Sequence, residues 1–132
     1  MRTGERLPAN DAVSSFAGPV DSSHAHLTAE LHGVSGEQLR DPALLGGLLI
    51  AAASAAGFST LGVPTVKKQP GDGVSAMLLL PSAHIALHSM PDQGTLLFDI
   101  VGAASHDFRR ALDVFARRLS ARDVKSDLRG RG

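Results

Sequence analysis

The stretch VSAMLLLPSAHIALHSMPDQGTLLFDIVG, residues 74–102, is three apolar segments cut by Pro81-Ser82 and by Pro91-Asp92-Gln93-Gly94. Proline beside small polar residues ends regular structure, because its ring fixes φ and removes a backbone donor. The middle segment, AHIALHSM at 83–90, alternates and reads as a strand with one buried face. VSAMLLL at 74–80 is apolar almost throughout and reads as a fully buried strand; GTLLFDIVG at 94–102 reads as a third.

Upstream, AHLTAELHG at 25–33 also alternates, with Leu27, Ala29 and Leu31 on one face and His26, Thr28, Glu30 and His32 on the other. Asp41 followed by Pro42 marks a helix start, and the helix is predicted to run to about Ala56 and stop at Gly57. Gly46, Gly47 and the alanines weaken its intrinsic propensity, so packing on a sheet must hold it. FSTLGV, 58–63, is predicted to be a strand and VKKQPGDG, 66–73, a polar loop. Downstream, Ser105 is predicted to cap a helix whose apolar stripe is Phe108, Ala111, Leu112, Phe115 and Leu119. The ending DVKSDLRGRG can supply one short edge strand. The order β-α-β-β-β-β-α-β predicts an α+β two-layer sandwich, a mainly antiparallel sheet with two helices on one face. Residues 1–20 read as a mobile leader and 21–132 as a single domain.

Bulk composition removes several functions. The 132 residues carry 13 basic and 13 acidic side chains, a balance without the electrostatic footprint of a nucleic-acid or anionic-membrane binder. With no cysteine there is no disulfide, zinc–thiolate site or thiol nucleophile. Tryptophan and tyrosine are absent as well, so ligand stacking would use Phe or His. The longest apolar run, 43–58, falls short of the roughly 20 residues that cross a bilayer. The default is a cytoplasmic protein.

Three constellations could carry chemistry. His84 and His88 have a spacing that suits one metal ion on a helix, but on a strand it separates them by roughly 13 Å. His24, His26, Glu30 and His32 are spaced to share a strand face and form the better geometric candidate, although a solvated polar strand explains them more simply. No metal is assigned. Ser75, Ser82 and Ser89 lie near His84, His88 and Asp92 in sequence, yet spacing alone licenses no Ser-His-Asp triad.

Taken in order, HLTAEL (26–31), GVSAMLLL (73–80), SAHIALHSMPDQG (82–94) and FDIVG (98–102) resemble the small bacterial and archaeal S-adenosylmethionine decarboxylase family. The family pattern is an HL-x-A-E first strand, then G-V-S-G, then E-S-H-I-x-I-H-T-W-P-E, then D-x-F-T-C-G. The resemblance covers about 26–104 and implies that family's fold. Its members cleave themselves between the Glu and Ser of E-S-H, and the serine becomes a pyruvoyl group. That group is the electron sink for decarboxylation.

Carried over by position, the resemblance matches the assisting serine to Ser75 and the assisting histidine to His88, and assigns ligand binding to His84 and Asp92. Asp92 stands for the acid that holds ribose hydroxyls and is one methylene shorter than the family's glutamate. The glutamate of the cleaved bond is Ser82, the pyruvoyl-forming serine is Ala83, and the proton-donating cysteine is Ala103. Alanine has no hydroxyl to attack the preceding carbonyl, and a shift of one residue to Ser82 turns the side chain to the other face. No pyruvoyl cofactor is therefore expected.

The expectation is a divergent homologue binding S-adenosylmethionine or a related amine-bearing molecule as a binding or regulatory module; the resemblance implies a homodimer, with an active paralogue as a further candidate partner. The rival is an enzyme of repurposed chemistry using Ser75, His88 and Asp92; a decarboxylase processed at Ser82 ranks third. Each residue also has an ordinary explanation: a backbone hydrogen bond for Ser75, a satisfied core histidine for His88, a turn acid for Asp92.

Overall fold

A computed structural model describes residues 22–59 and 62–132. The predicted leader lies outside them. In chain order the elements are β1 (His24–His32), α1 (Gly36–Leu39), α2 (Pro42–Ala55), β2 (Thr65–Lys68), β3 (Val74–Leu80), β4 (Ala83–Met90), β5 (Thr95–Ala103), α3 (Phe108–Arg118) and β6 (Asp123–Arg131). The strands form one antiparallel sheet in the order β2-β3-β4-β5-β1-β6. Helices α2 and α3 cover one face; among the described residues the other is open. The α+β sandwich read from the alternation is the observed architecture.

The strands alternate because only one face is covered. Leu27 and Leu31 of β1, Leu78 of β3, Ile85 and Leu87 of β4, and Leu96 and Ile100 of β5 are almost completely buried beneath the helices. Each such side chain contributes roughly 1.5–3 kcal/mol of burial. Phe115 of α3 enters the same core, its ring centroid 4.7 Å from that of Phe98. In α2, Asp41 accepts a hydrogen bond from the Leu44 amide and Pro42 fills the first helical position. A Cβ on Gly46 would stand 3.2 Å from Val66, so glycine there lets α2 approach β2 closely.

Four readings change. The segment predicted as a strand at 58–63 is irregular where it is described, and β2 lies at 65–68, overlapping the expected loop at 66–73. Phe58 is needed in the core, where it stacks on His106 at 3.7 Å, and Gly62 has a left-handed φ of +93°. Once past Pro64, β2 turns Val66 inward and leaves Lys67 and Lys68 exposed on an edge, where lysines discourage further pairing. The run 74–80 is buried on one face only: Met77 is 42% and Leu79 67% exposed. The cap of α3 is Asp107, which accepts from the Arg110 amide, rather than Ser105; the Asp107 amide donates to Ala56 and fixes the chain there. Finally, β6 is not short: it pairs along all nine residues of β1.

Candidate functional site

The open face is where the chemistry-bearing side chains collect. Ser75 and His88 are register partners across β3 and β4, and Ser75 Oγ lies 2.6 Å from His88 Nδ1. On the next strand, Asp99 of β5 stands between His26 of β1 and His84 of β4. Its Oδ2 atom is 3.0 Å from His26 Nε2 and 3.7 Å from His84 Nε2. Beyond that, His32 contacts Glu30 at 3.0 Å and Thr95 at 3.1 Å. Between the Ser75–His88 pair and Asp99, small Ala86 leaves a shallow depression of about 330 Å³, walled by Thr28, His88, Leu97 and Asp99.

Sequence spacing separates His84 from His88, and the structure gives them different partners, Asp99 and Ser75. The strand carrying His24, His26, Glu30 and His32 lies inside the sheet, flanked by β5 and β6. Among the described residues, no group of three His, Asp or Glu side chains is placed to hold a metal ion.

Asp92 does not join Ser75 and His88. It sits in the single turn of 3-10 helix after β4, Pro91–Gln93, where its carboxylate pairs with Arg40 at 3.1 Å. Asp92 is 86% exposed there. Ser89, grouped with the other serines by sequence, faces the core and ties β4 to neighbouring backbone. Its hydroxyl donates to the Leu39 carbonyl at 2.6 Å and accepts from the Val74 amide at 2.8 Å.

Ser82 and Ala83 lie at the far end of β4. Leu80 pairs with Ala83, so Pro81 and Ser82 make a two-residue hairpin turn, with Ser82 held at a left-handed φ of +52°. Pro81 supplies the fixed φ that suits the first turn position. Ala83 is on the helix-side register of its strand; a Cβ on Gly102 would come within 3.0 Å of its methyl. His88 is five residues further on, about 17 Å along a strand, and on the opposite face. Within one chain, then, the Ser75–His88 pair and the hairpin tip are not brought together. Ala103 lies on the open face at the end of β5, opposite His24.

Asp99 is the site residue that sequence reasoning missed. Its signal was present: it alternates with buried Phe98 and Ile100 and must face the same way as Leu97 and Val101. What spacing could not supply was the register that sets it between His26 and His84.

A solved adenosylmethionine decarboxylase from Aquifex aeolicus superposes with a TM-score of 0.73 at 22% identity, covering 84% of this chain and 93% of that one. That likeness establishes the fold. The family model for S-adenosylmethionine decarboxylase matches residues 25–132. The chain belongs to the S-adenosylmethionine decarboxylase family. Among its relatives, an arginine decarboxylase proenzyme of Aeropyrum pernix is 32% identical over 74% of this chain and 75% of its own length. An S-adenosylmethionine decarboxylase proenzyme of Pyrobaculum aerophilum is 26% identical over 76% and 81%. No helix among the described residues is long and apolar enough to cross a membrane.

Proposed function

We propose that this chain is a non-processing member of the family, which binds S-adenosylmethionine or a related amine-bearing small molecule without making a pyruvoyl group. The observation that carries this is Ala83. Self-cleavage needs a hydroxyl attacking the carbonyl before it, and a methyl group stands at the position that aligns with that serine. Ser82 is a poor substitute, because it is the exposed second residue of a turn whose first residue is Pro81. The residues present do not fit formation of the pyruvoyl group.

Within this reading Asp92 contacts the ligand beyond the Met90 end of β4, while His84, roughly 20 Å back along the strand, does not reach the same small molecule within one chain. Ser75 and His88 line the open face, and the module acts in the cytoplasm as a regulatory or binding unit. A homodimer through the open face is favoured by Met77, Leu79 and Leu97, large apolar side chains exposed together there. An active paralogue is a second partner of the same kind.

Denaturing mass spectrometry tests the first step. One species near 13.7 kDa is expected; two fragments, cleaved before Ser82 or Ala83, overturn the proposal. Thermal-shift measurements with S-adenosylmethionine, arginine and related amines test the second, and no stabilisation by any of them would sink it.

The 2.6 Å Ser75–His88 contact supports a rival, an enzyme of pyruvoyl-independent chemistry using that pair, with Asp92 as a positioning acid. Turnover of an amine substrate that vanishes in His88→Ala, while the fold persists, selects this rival.

A further inference from the structure

The two edges of the sheet are built differently. Strand β2 is four residues long, exposes Lys67 and Lys68 and runs on to Pro70, all of which discourage a further strand. Strand β6 is long and unbroken. Asp123–Arg131 pairs with β1 in one continuous register, without a proline or a bulge. Among the described residues nothing pairs with its outer edge, which leaves a row of backbone donors and acceptors for another strand.

The side chains indicate which strand that is. Asp123, Lys125, Asp127 and Arg129 stand opposite His32, Glu30, Thr28 and His26, so all four lie on the open face. Val124, Ser126 and Leu128 lie on the helix side. Charge alternates along the open-face row, and Arg129 already bonds Asp127 within it. Set a second β6 antiparallel to the first, with the twofold axis at Ser126. Asp123 then meets Arg129 and Lys125 meets Asp127, each pair occurring twice by symmetry. On the helix side Val124 meets Leu128, and Ser126 meets its twin. A groove of about 490 Å³ between α3 and β6, lined in part by Leu112, Ala116, Val124 and Ser126, leaves that side uncovered.

Other registers fail on charge. With the axis at Asp127, Lys125 faces Arg129 and Asp127 faces itself. With the axis at Lys125, Asp123 faces Asp127; with it at Leu128, Lys125 faces Arg131. An axis between two residues sets open-face side chains against helix-side ones.

We propose that the outer edge of β6 docks β6 of a second copy of this chain, in the antiparallel register centred on Ser126. The contact is distinct from the open face and does not depend on what that face binds. Its charges lie in water and set register more than affinity. Seven paired residues a side fall well short of the roughly 20–30 of a standard interface, so dilution separates the copies.

Disulfide trapping reads such a contact, and the chain has no cysteine of its own to interfere. In the full chain, Ser126→Cys is expected to give a covalent dimer under glutathione disulfide, because the axis sets the two thiols face to face. Val124→Cys alone and Leu128→Cys alone should give little, their twins being four residues apart along the strand, roughly 13 Å. A mixture of those two variants should cross-link. Adding Lys125→Asp to Ser126→Cys should cut the yield about fivefold or more, since two attractive pairs become repulsive. Adding Asp127→Lys as well should restore it. Reduced samples of equal melting temperature show that the fold is not what changed. The proposal is overturned if neither Ser126→Cys nor the mixture cross-links, which leaves the edge to another occupant or to none. Equal yields from Val124→Cys alone and Ser126→Cys overturn it as random collision, and a yield indifferent to both charge changes overturns the register.

Discussion

Ser75 and His88 face one another across the β3–β4 ladder, joined by a 2.6 Å contact between Oγ and Nδ1. The pair stands on the open face, where water can replace either partner. Ser75→Ala should therefore cost only about 0.5–1 kcal/mol in urea denaturation. A loss above about 2 kcal/mol would mean that the pair is a structural tie.

Ser89 presents the opposite case on the neighbouring residue. Its hydroxyl is buried and satisfies both the Val74 amide and the Leu39 carbonyl. Ser89→Ala strands one donor and one acceptor away from water and should cost about 1–3 kcal/mol, with the α1 region loosening first. Hydrogen exchange at Val74, compared with that of a central β5 amide, reads the local part.

Gly102 is enclosed. An added Cβ would meet the Ala83 methyl at 3.0 Å and the Phe58 ring at 3.1 Å. Gly102→Ala should destabilise the chain by about 1–3 kcal/mol, the usual cost of overfilling a packed site. Combined with Phe58→Leu it should cost less than the sum of the two single changes, since each relieves the other. Strict additivity would show that the two sites do not share space.

Leu79 is an apolar side chain, two-thirds exposed, on the open face. Leu79→Glu should leave the stability of the single chain within about 0.5 kcal/mol. In sedimentation the same change should convert the proposed homodimer to a monomer, because a dry copy-to-copy face cannot bury an unpaired carboxylate. A variant that sediments as a dimer places the contact elsewhere, and a wild type that sediments as a monomer removes the proposed homodimer.

Legibility in the sequence followed burial asymmetry. Strands β1, β4 and β5 could be read because helices cover one of their faces and polar residues mark the other. For β3 the same logic misled, since Met77 and Leu79 are apolar on the uncovered side and hide the alternation. Strand β2 was missed because an edge strand needs only one inward residue, Val66, and its lysines look like a loop. The site divided in the same way. Ser75 and His88 could be paired only through the family resemblance, as thirteen residues and a turn separate them. Asp99 needed the β4–β5 and β5–β1 registers, which are tertiary facts. Asp92 was grouped with His88 by nearness in the chain, but the turn at Pro91 carries it to Arg40 instead.

The left-handed Ser82 turn has a consequence for how the chain could be taken apart. Strands β3 and β4 are held by the ladder between them, and β4 is also laced to β5, so the Pro81-Ser82 link adds little beyond connectivity. Two polypeptides made separately, one ending at Pro81 and the other starting at Ser82, are expected to find each other and rebuild the sheet. The hairpin tip is thus a seam along which this protein can be supplied as complementing halves.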